Sequence, residues 1–155
     1  MRYERIISLG FFCGVAQELE RYGFRDCSLP FDWVISNFKS INQLIDNRFE
    51  DLFGANNLSR DHNYPYIVKH KGYKFDFYHD FKIETPIQDQ LTIVGKKYAR
   101  RINRFYQLLY SDEPILFIKY MDDSDTATDI DQFINLIKVS HSNSCYSIKG
   151  FVAIV

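Results

Sequence analysis

The sequence has no paired Cys-x-x-Cys motif, no long apolar run and almost no net charge, and each absence excludes a class of protein. Its three cysteines, Cys13, Cys27 and Cys145, are odd in number and far apart. A secreted domain more often carries an even disulfide framework, and a zinc site needs clustered ligands. The four histidines, His62, His70, His79 and His141, are scattered as well. The expectation is therefore a reducing, cytoplasmic setting with no structural metal. No run approaches the 18 or so apolar residues of a membrane span. Arg2, Glu4 and Arg5 precede a short apolar stretch without a small-residue cleavage site, unlike a signal peptide. A net charge of −1 lacks the basic surface of a general nucleic-acid binder. Gly10 and Gly14 flank a turn, but neither the dinucleotide fingerprint nor the P-loop pattern occurs, and no cofactor is expected.

What the chain does hold is enough apolar material for a core. Its 155 residues are 46% hydrophobic and 17% aromatic, with 14 Phe and 11 Tyr, and such rings each bury about 150–250 Å². The length suits a single domain over 1–155. Arg5 to Leu9 reads as a buried strand closed by Gly10. Val15, Ala16, Leu19 and Tyr22 then share the face of a helix that Gly23 stops. Cys27 to Ser36 reads as extended, pinned by Pro30, and Ser40 is placed to cap a helix through Ile41, Leu44 and Ile45. Tyr66 to Val68 and Tyr73 to Tyr78 flank Lys71-Gly72 as a β-hairpin with one wet face. Pro86 opens the longest helix, with a stripe from Leu91 through Val94, Tyr98, Ile102 and Phe105 to Leu109. Ile115 to Ile118 is the most apolar strand. Thr128 is placed to cap a further helix, and Phe151 to Val155 forms the last strand. Three apolar strands separated by helices predict an α/β fold: a three-layer, mostly parallel sheet with the hairpin as an insertion. An end inside the last strand is what a longer parent chain or a shortened terminus would leave.

The sharpest chemical feature is the strand, turn and helix start at Ser8-Leu9-Gly10-Phe11-Phe12-Cys13. Free amides and the positive helix end there favour thiolate over thiol, the attacking form. The competing reading is a packed cysteine, since free cysteine is among the most buried residue types. His79 continues the face of Tyr73, Phe75 and Phe77 and points toward the body of the domain, either as a base or as a half-buried histidine bonded to a carbonyl. Asp80 falls on the opposite face. Asp32, between Phe31 and Trp33, needs a partner if buried; it either orients His79 or locks its loop to Arg25. Lys96, Lys97, Arg100, Arg101 and Arg104 run opposite the apolar stripe, as a phosphate-binding face or simply a solvated one.

These residues resemble a family. Ser8-Leu9-Gly10-Phe11-Phe12-Cys13, then Arg25, then Pro30-Phe31-Asp32-Trp33, then His79-Asp80-Phe81 is similar to the pattern of a bacterial family of unknown function described as papain-like cysteine peptidases. The likeness spans Ile6 to Tyr120, with Lys119 where the family usually has Arg. It implies Cys13 as nucleophile, His79 as base and Asp32 or Asp80 as orienting acid, with Ser8, Gly10, Arg25, Trp33 and Lys119 around them. It also implies the alternative fold, an α+β papain-like one.

Four functions follow for test. The first is a thiol hydrolase or acyl-transfer enzyme acting on a peptide, acyl or sugar-linked substrate. The second is a non-catalytic module holding an anion or sugar phosphate at the same turn. The third is an inactive remnant. In the fourth, an SGNH-type esterase, Ser8 would be the nucleophile, yet His141 lacks the Asp three residues earlier that such enzymes need.

Overall fold

The computed structural model describes residues 5–11, 13–111, 113–121, 123–141 and 151–154. The three apolar runs that read as strands form one parallel sheet. β1 (Arg5–Ser8) pairs with β6 (Ile115–Lys119), Ile7 lying opposite Phe117. On its other edge β6 pairs in parallel with β7 (Phe151–Ile154).

Four further strands make a second sheet, and here the expectation needs correction. β2 (Val34–Ser36), β3 (Leu58–Arg60), β4 (Val68–His70) and β5 (Phe75–Phe77) run antiparallel in the order β2-β5-β4-β3. The predicted hairpin exists as β4 and β5, with Val68 opposite Phe77. It is no insertion into a mostly parallel sheet, because it forms the centre of this separate antiparallel one. β2 and β3 gave no signal because, unlike the equally short β4 and β5, they do not flank a turn such as Lys71-Gly72 and are too short to show alternation. The chain is α/β in the general sense, with a small parallel sheet and a larger antiparallel one.

The helices follow their patterns, but their ends differ in detail. α1 (Cys13–Arg21) closes on Gly23 at φ +70°, where Phe24 N–H donates to Leu19 O (2.8 Å) and Gly23 N–H to Glu20 O (3.1 Å). That is a Schellman motif. Ala16 and Leu19 are its buried face, whereas Tyr22 is exposed. α2 (Phe38–Asp46) is capped by Asn37, whose Oδ1 accepts from Ser40 N–H at 3.0 Å. Ser40, expected as the cap, instead accepts Lys74 N–H on its Oγ at 2.8 Å. α3 (Ile87–Leu109) begins after Pro86 and buries Val94, Tyr98, Phe105 and Leu109. At the start of α4 (Ala127–His141) it is Thr126, not Thr128, that accepts Asp129 N–H. Residues 30–33 are a turn rather than extended chain, and they carry Phe31 into the core. Its ring meets Phe49 and Phe105, each at 5.6 Å between centroids.

The two sheets are joined beside the carboxyl ends of β1 and β6. Leu9 N–H donates to Ile118 O (2.8 Å), and Ser36 Oγ at the end of β2 donates to Leu9 O (3.0 Å). Lys119 is wholly buried, and its Nζ donates to Ser36 O at 2.8 Å while lying 3.3 Å from the Asp125 carboxylate. Gly10 fits this junction only because it has no side chain. At φ +81°, a Cβ would meet Ser36 Oγ at 2.7 Å and Phe31 O at 3.0 Å.

His70 ties the second sheet to its neighbours. Its Nδ1 accepts from Gly72 N–H (3.0 Å) and Tyr73 N–H (3.1 Å), which leaves Nε2–H to donate to Asp51 O at 3.2 Å. The ring is therefore neutral, and burial holds its pKa below the ordinary 6.5.

Two outcomes follow. Gly10→Ala, with a strained backbone and a backbone clash, is expected to lower the unfolding free energy by about 2–4 kcal/mol in urea denaturation. For His70, the unfolded chain binds the extra proton as pH falls through its ordinary 6.5, and the folded chain resists it. The urea midpoint is thus expected to drop as pH falls through that value, and His70→Ala to show a shallower drop. An unchanged slope in the variant would refute the assignment.

Candidate active site

Cys13 is the first residue of α1 and is half-buried. Chain direction reverses just before it through two successive positive φ values, +81° at Gly10 and +102° at Phe11. The second is a sparsely populated conformation for a side chain such as phenylalanine, and it persists only where the surroundings enforce it. Those surroundings are Ser8, Ser36 and Lys119. Gly10 N–H donates to Ser8 Oγ (3.2 Å), the Phe11 ring stacks on Tyr120 at 5.0 Å, and Lys119 Nζ lies 5.8 Å from the Phe11 ring centre.

Three of the residues expected around a ligand, Ser8, Gly10 and Lys119, are built into this turn and junction. Ser8 is 1% exposed with its hydroxyl occupied by the turn, so an esterase reading with Ser8 as nucleophile gains nothing. Lys119 is 0% exposed and holds the junction rather than facing a ligand. Gly10 shapes the turn.

Asp32 and Arg25 form the lock that was one of their two readings. Asp32 Oδ2 accepts from Arg25 Nε (2.9 Å) and from Leu29 N–H (2.8 Å), and the carboxylate is buried. Burial pushes its pKa up, against the pull of the Leu29 amide and Arg25. Arg25 also binds Glu20 (2.9 Å) and lies 5.2 Å over the Trp33 ring, holding that indole in place.

His79 stands at the edge of the same indole, with ring centroids 6.3 Å apart. The strand β5 ends at Phe77, so alternation does not carry as far as His79. The histidine is exposed, not turned inward with Phe75 and Phe77 as expected, and it is Asp80 whose side chain goes inside at 1% exposure. Asp80 Oδ1 accepts from Lys97 Nζ (2.6 Å), and Oδ2 accepts from Tyr98 OH (2.9 Å). Burial and the Asp80 charge push the Tyr98 phenol well above its ordinary range, so it remains a donor. Neither Asp32 nor Asp80 hydrogen-bonds to His79 among the described residues.

A cleft of about 320 Å³ collects Gln17, Trp33, His79, Asp80, Lys97 and Arg101. Gln17 lies one helical turn beyond Cys13, on the same side of α1. The basic run of α3 is split, since Lys97 and Arg101 face this cleft while Lys96 and Arg100 stay exposed. The inward turn of Arg101 was readable, because it falls three residues after Tyr98 and four before Phe105, inside the apolar stripe. Gln17 carried no such signal. Cys27 is half-buried in a different cleft, with Arg5, Asp26 and Glu113, and Cys145 lies outside the described residues. No group of three His, Cys, Asp or Glu side chains converges among the described residues, and no described helix is long and apolar enough to cross a membrane.

In this mixed α/β protein Cys13 thus stands at a helix start after a strained turn, one helical turn from Gln17, which lines the cleft that holds His79. Residues 4–149 match the family described as "Putative papain-like cysteine peptidase (DUF1796)", and the chain belongs to that family. An uncharacterised protein of Acanthamoeba polyphaga mimivirus is 30% identical over 162 residues, a match covering 89% of this chain and 72% of that protein. No solved structure matches significantly.

The Arg25–Asp32 lock makes a distinct demand. Asp32→Ala removes the acceptor of the Leu29 amide and of Arg25 Nε, a guanidinium only 11% exposed, and is expected to cost about 3 kcal/mol in denaturant unfolding. A loss under about 0.5 kcal/mol, the range of an ordinary surface change, would refute the lock.

Proposed function

We propose that the chain is a thiol hydrolase or acyl-transfer enzyme, papain-like in its chemistry, with Cys13 as nucleophile and His79 as proton acceptor. The single observation that carries this reading is the cleft shared by His79 and Gln17, because Gln17 is one turn along the helix that begins at Cys13. Membership of the peptidase-like family supports the same chemistry.

In this reading His79 takes the proton of the Cys13 thiol and the sulfur attacks a carbonyl carbon of a peptide, acyl or sugar-linked substrate. Amides at the start of α1 hold the oxyanion. Collapse breaks the bond to the leaving group, which departs with the proton from His79, and leaves a thioester on Cys13. Water, or an acceptor amine or alcohol, then attacks the thioester and restores the thiol. With Asp32 held by Arg25 and Asp80 by Lys97 and Tyr98, the working unit is a pair rather than a triad. The edge of Trp33 replaces a carboxylate as the support of the imidazole.

A peptide vinyl sulfone, which traps an activated thiol, tests the reading. Mass spectrometry is expected to find the label on Cys13 and not on Cys27, with His79→Ala slowing labelling about 100-fold or more. Equal labelling of both cysteines, or a rate insensitive to His79, would overturn it. The binding-module alternative makes the opposite demand: Cys13→Ser would then leave every measurable property of the site intact.

A further inference from the structure

We infer that the cleft beside His79 recognises a carboxylate on its substrate, through Arg101 and Lys97. The inference rests on the hydrolase reading only in calling the bound molecule a substrate.

The charges around the cleft do not balance. Among the described residues Asp80 is the one carboxylate in its lining, opposed by the two cations Lys97 and Arg101. Asp80 is fully engaged, with Oδ1 accepting from Lys97 Nζ at 2.6 Å and Oδ2 from Tyr98 OH at 2.9 Å. Asp32, which also feels the charge of Arg101, is committed to Arg25 and to the Leu29 amide. One positive charge is left over.

Arg101 carries that surplus. It is 5% exposed, and its Nη1 is buried without a hydrogen-bond partner. The closest carboxylate oxygen, Asp80 Oδ1, lies at 3.9 Å, beyond hydrogen-bonding reach. Its guanidinium carbon rests 4.9 Å over the Tyr98 ring, which fixes its plane. Buried polar groups without partners are uncommon in folded proteins, and this one belongs to a residue lining a cleft beside the proposed base. Lys97 adds an ammonium whose side chain is 40% exposed. It has three donors, and Asp80 takes one. A guanidinium and an ammonium at one cleft suit a carboxylate oxygen pair. The surplus of one charge matches a carboxylate better than a phosphate dianion. With Gln17 and Trp33 as the remaining walls, the acidic group would sit beside the bond that His79 and Cys13 act on, so the substrate class is an acidic peptide or acyl compound.

Trp33 is the only tryptophan of the chain and lines the cleft, so its fluorescence reports occupancy directly. The experiment uses the full chain as Cys13→Ala, so that no thioester forms, titrated with N-acetylated tripeptide amides bearing a central glutamate or glutamine. The glutamate peptide is expected to bind about tenfold or more tightly than its glutamine twin. Raising salt from about 0.05 to 0.5 M is expected to erode that preference. Arg101→Gln is expected to abolish it. Lys97→Gln, which removes one cation from the cleft but keeps a side chain able to donate to Asp80, is expected to cut it at least about threefold. Equal affinity for the two peptides, or no saturable response to either, overturns the inference. Tighter binding of inorganic phosphate than of the glutamate peptide overturns the carboxylate assignment in favour of a phosphate. Since binding is read without the thiol, failure of this inference and failure of the Cys13–His79 reading are separate results.

Discussion

The buried ammonium of Lys119 organises everything around the cysteine. A charge wholly removed from water is tolerable only when several acceptors surround it. Here they are the Ser36 and Tyr120 carbonyls and the Asp125 carboxylate, with the faces of Phe11 and Phe38 beside them. These groups come from three stretches of the chain, at Phe11, at Ser36 and Phe38, and at Tyr120 and Asp125. Together they tie the parallel sheet, the antiparallel sheet, the Gly10–Phe11 turn and the acidic loop before α4 to one another. Cys13 inherits its position from that arrangement.

The division of labour among the acidic residues follows from burial. Asp32 and Asp80 both lie next to residues of the proposed chemistry, Trp33 and His79, yet both side chains turn inside and are held by cations of other elements. A carboxylate at about 1–2% exposure needs such partners before it can serve any other purpose. His79 is left as an exposed imidazole steadied by aromatic edges from Trp33 and Tyr78. An imidazole held this way can reorient more freely than one tied to an acid.

Much of the fold was legible because its signals are local and repetitive. The 3.6-residue stripe of α3, the glycine after α1, the proline before α3 and the apolar runs of β1 and β6 all survive in the structure. β2 and β3 were not legible, because they have neither the turn signal Lys71-Gly72 that marks β4 and β5 nor an alternation long enough to count. Cap assignment erred by a few residues at α2 and α4, since Asn37 and Ser40, or Thr126 and Thr128, are chemically similar candidates and only the backbone path selects one. At the site, Cys13 could be placed at its helix start from the turn alone. The orientation of His79 could not, because it depends on β5 ending at Phe77, which the run Phe77-Tyr78-His79 conceals. The salt-bridged group of Asp80, Lys97 and Arg101 joins residues from two elements, and spacing within one helix carries no news of the other.

The strand that leads to the cysteine has its consequence for biosynthesis. β1 is an edge strand whose sheet neighbour is β6, more than a hundred residues later. The hydrogen bonds that close the turn come from Ile118 and, by way of Ser36, from Lys119. During synthesis Cys13 is made more than a hundred residues before Ile118 and Lys119, so the bend that precedes it cannot be assembled until β6 exists. Distant pairings of this kind are slow to form. The corner that carries Cys13 therefore closes only once β6 has formed, long after the cysteine itself has been made.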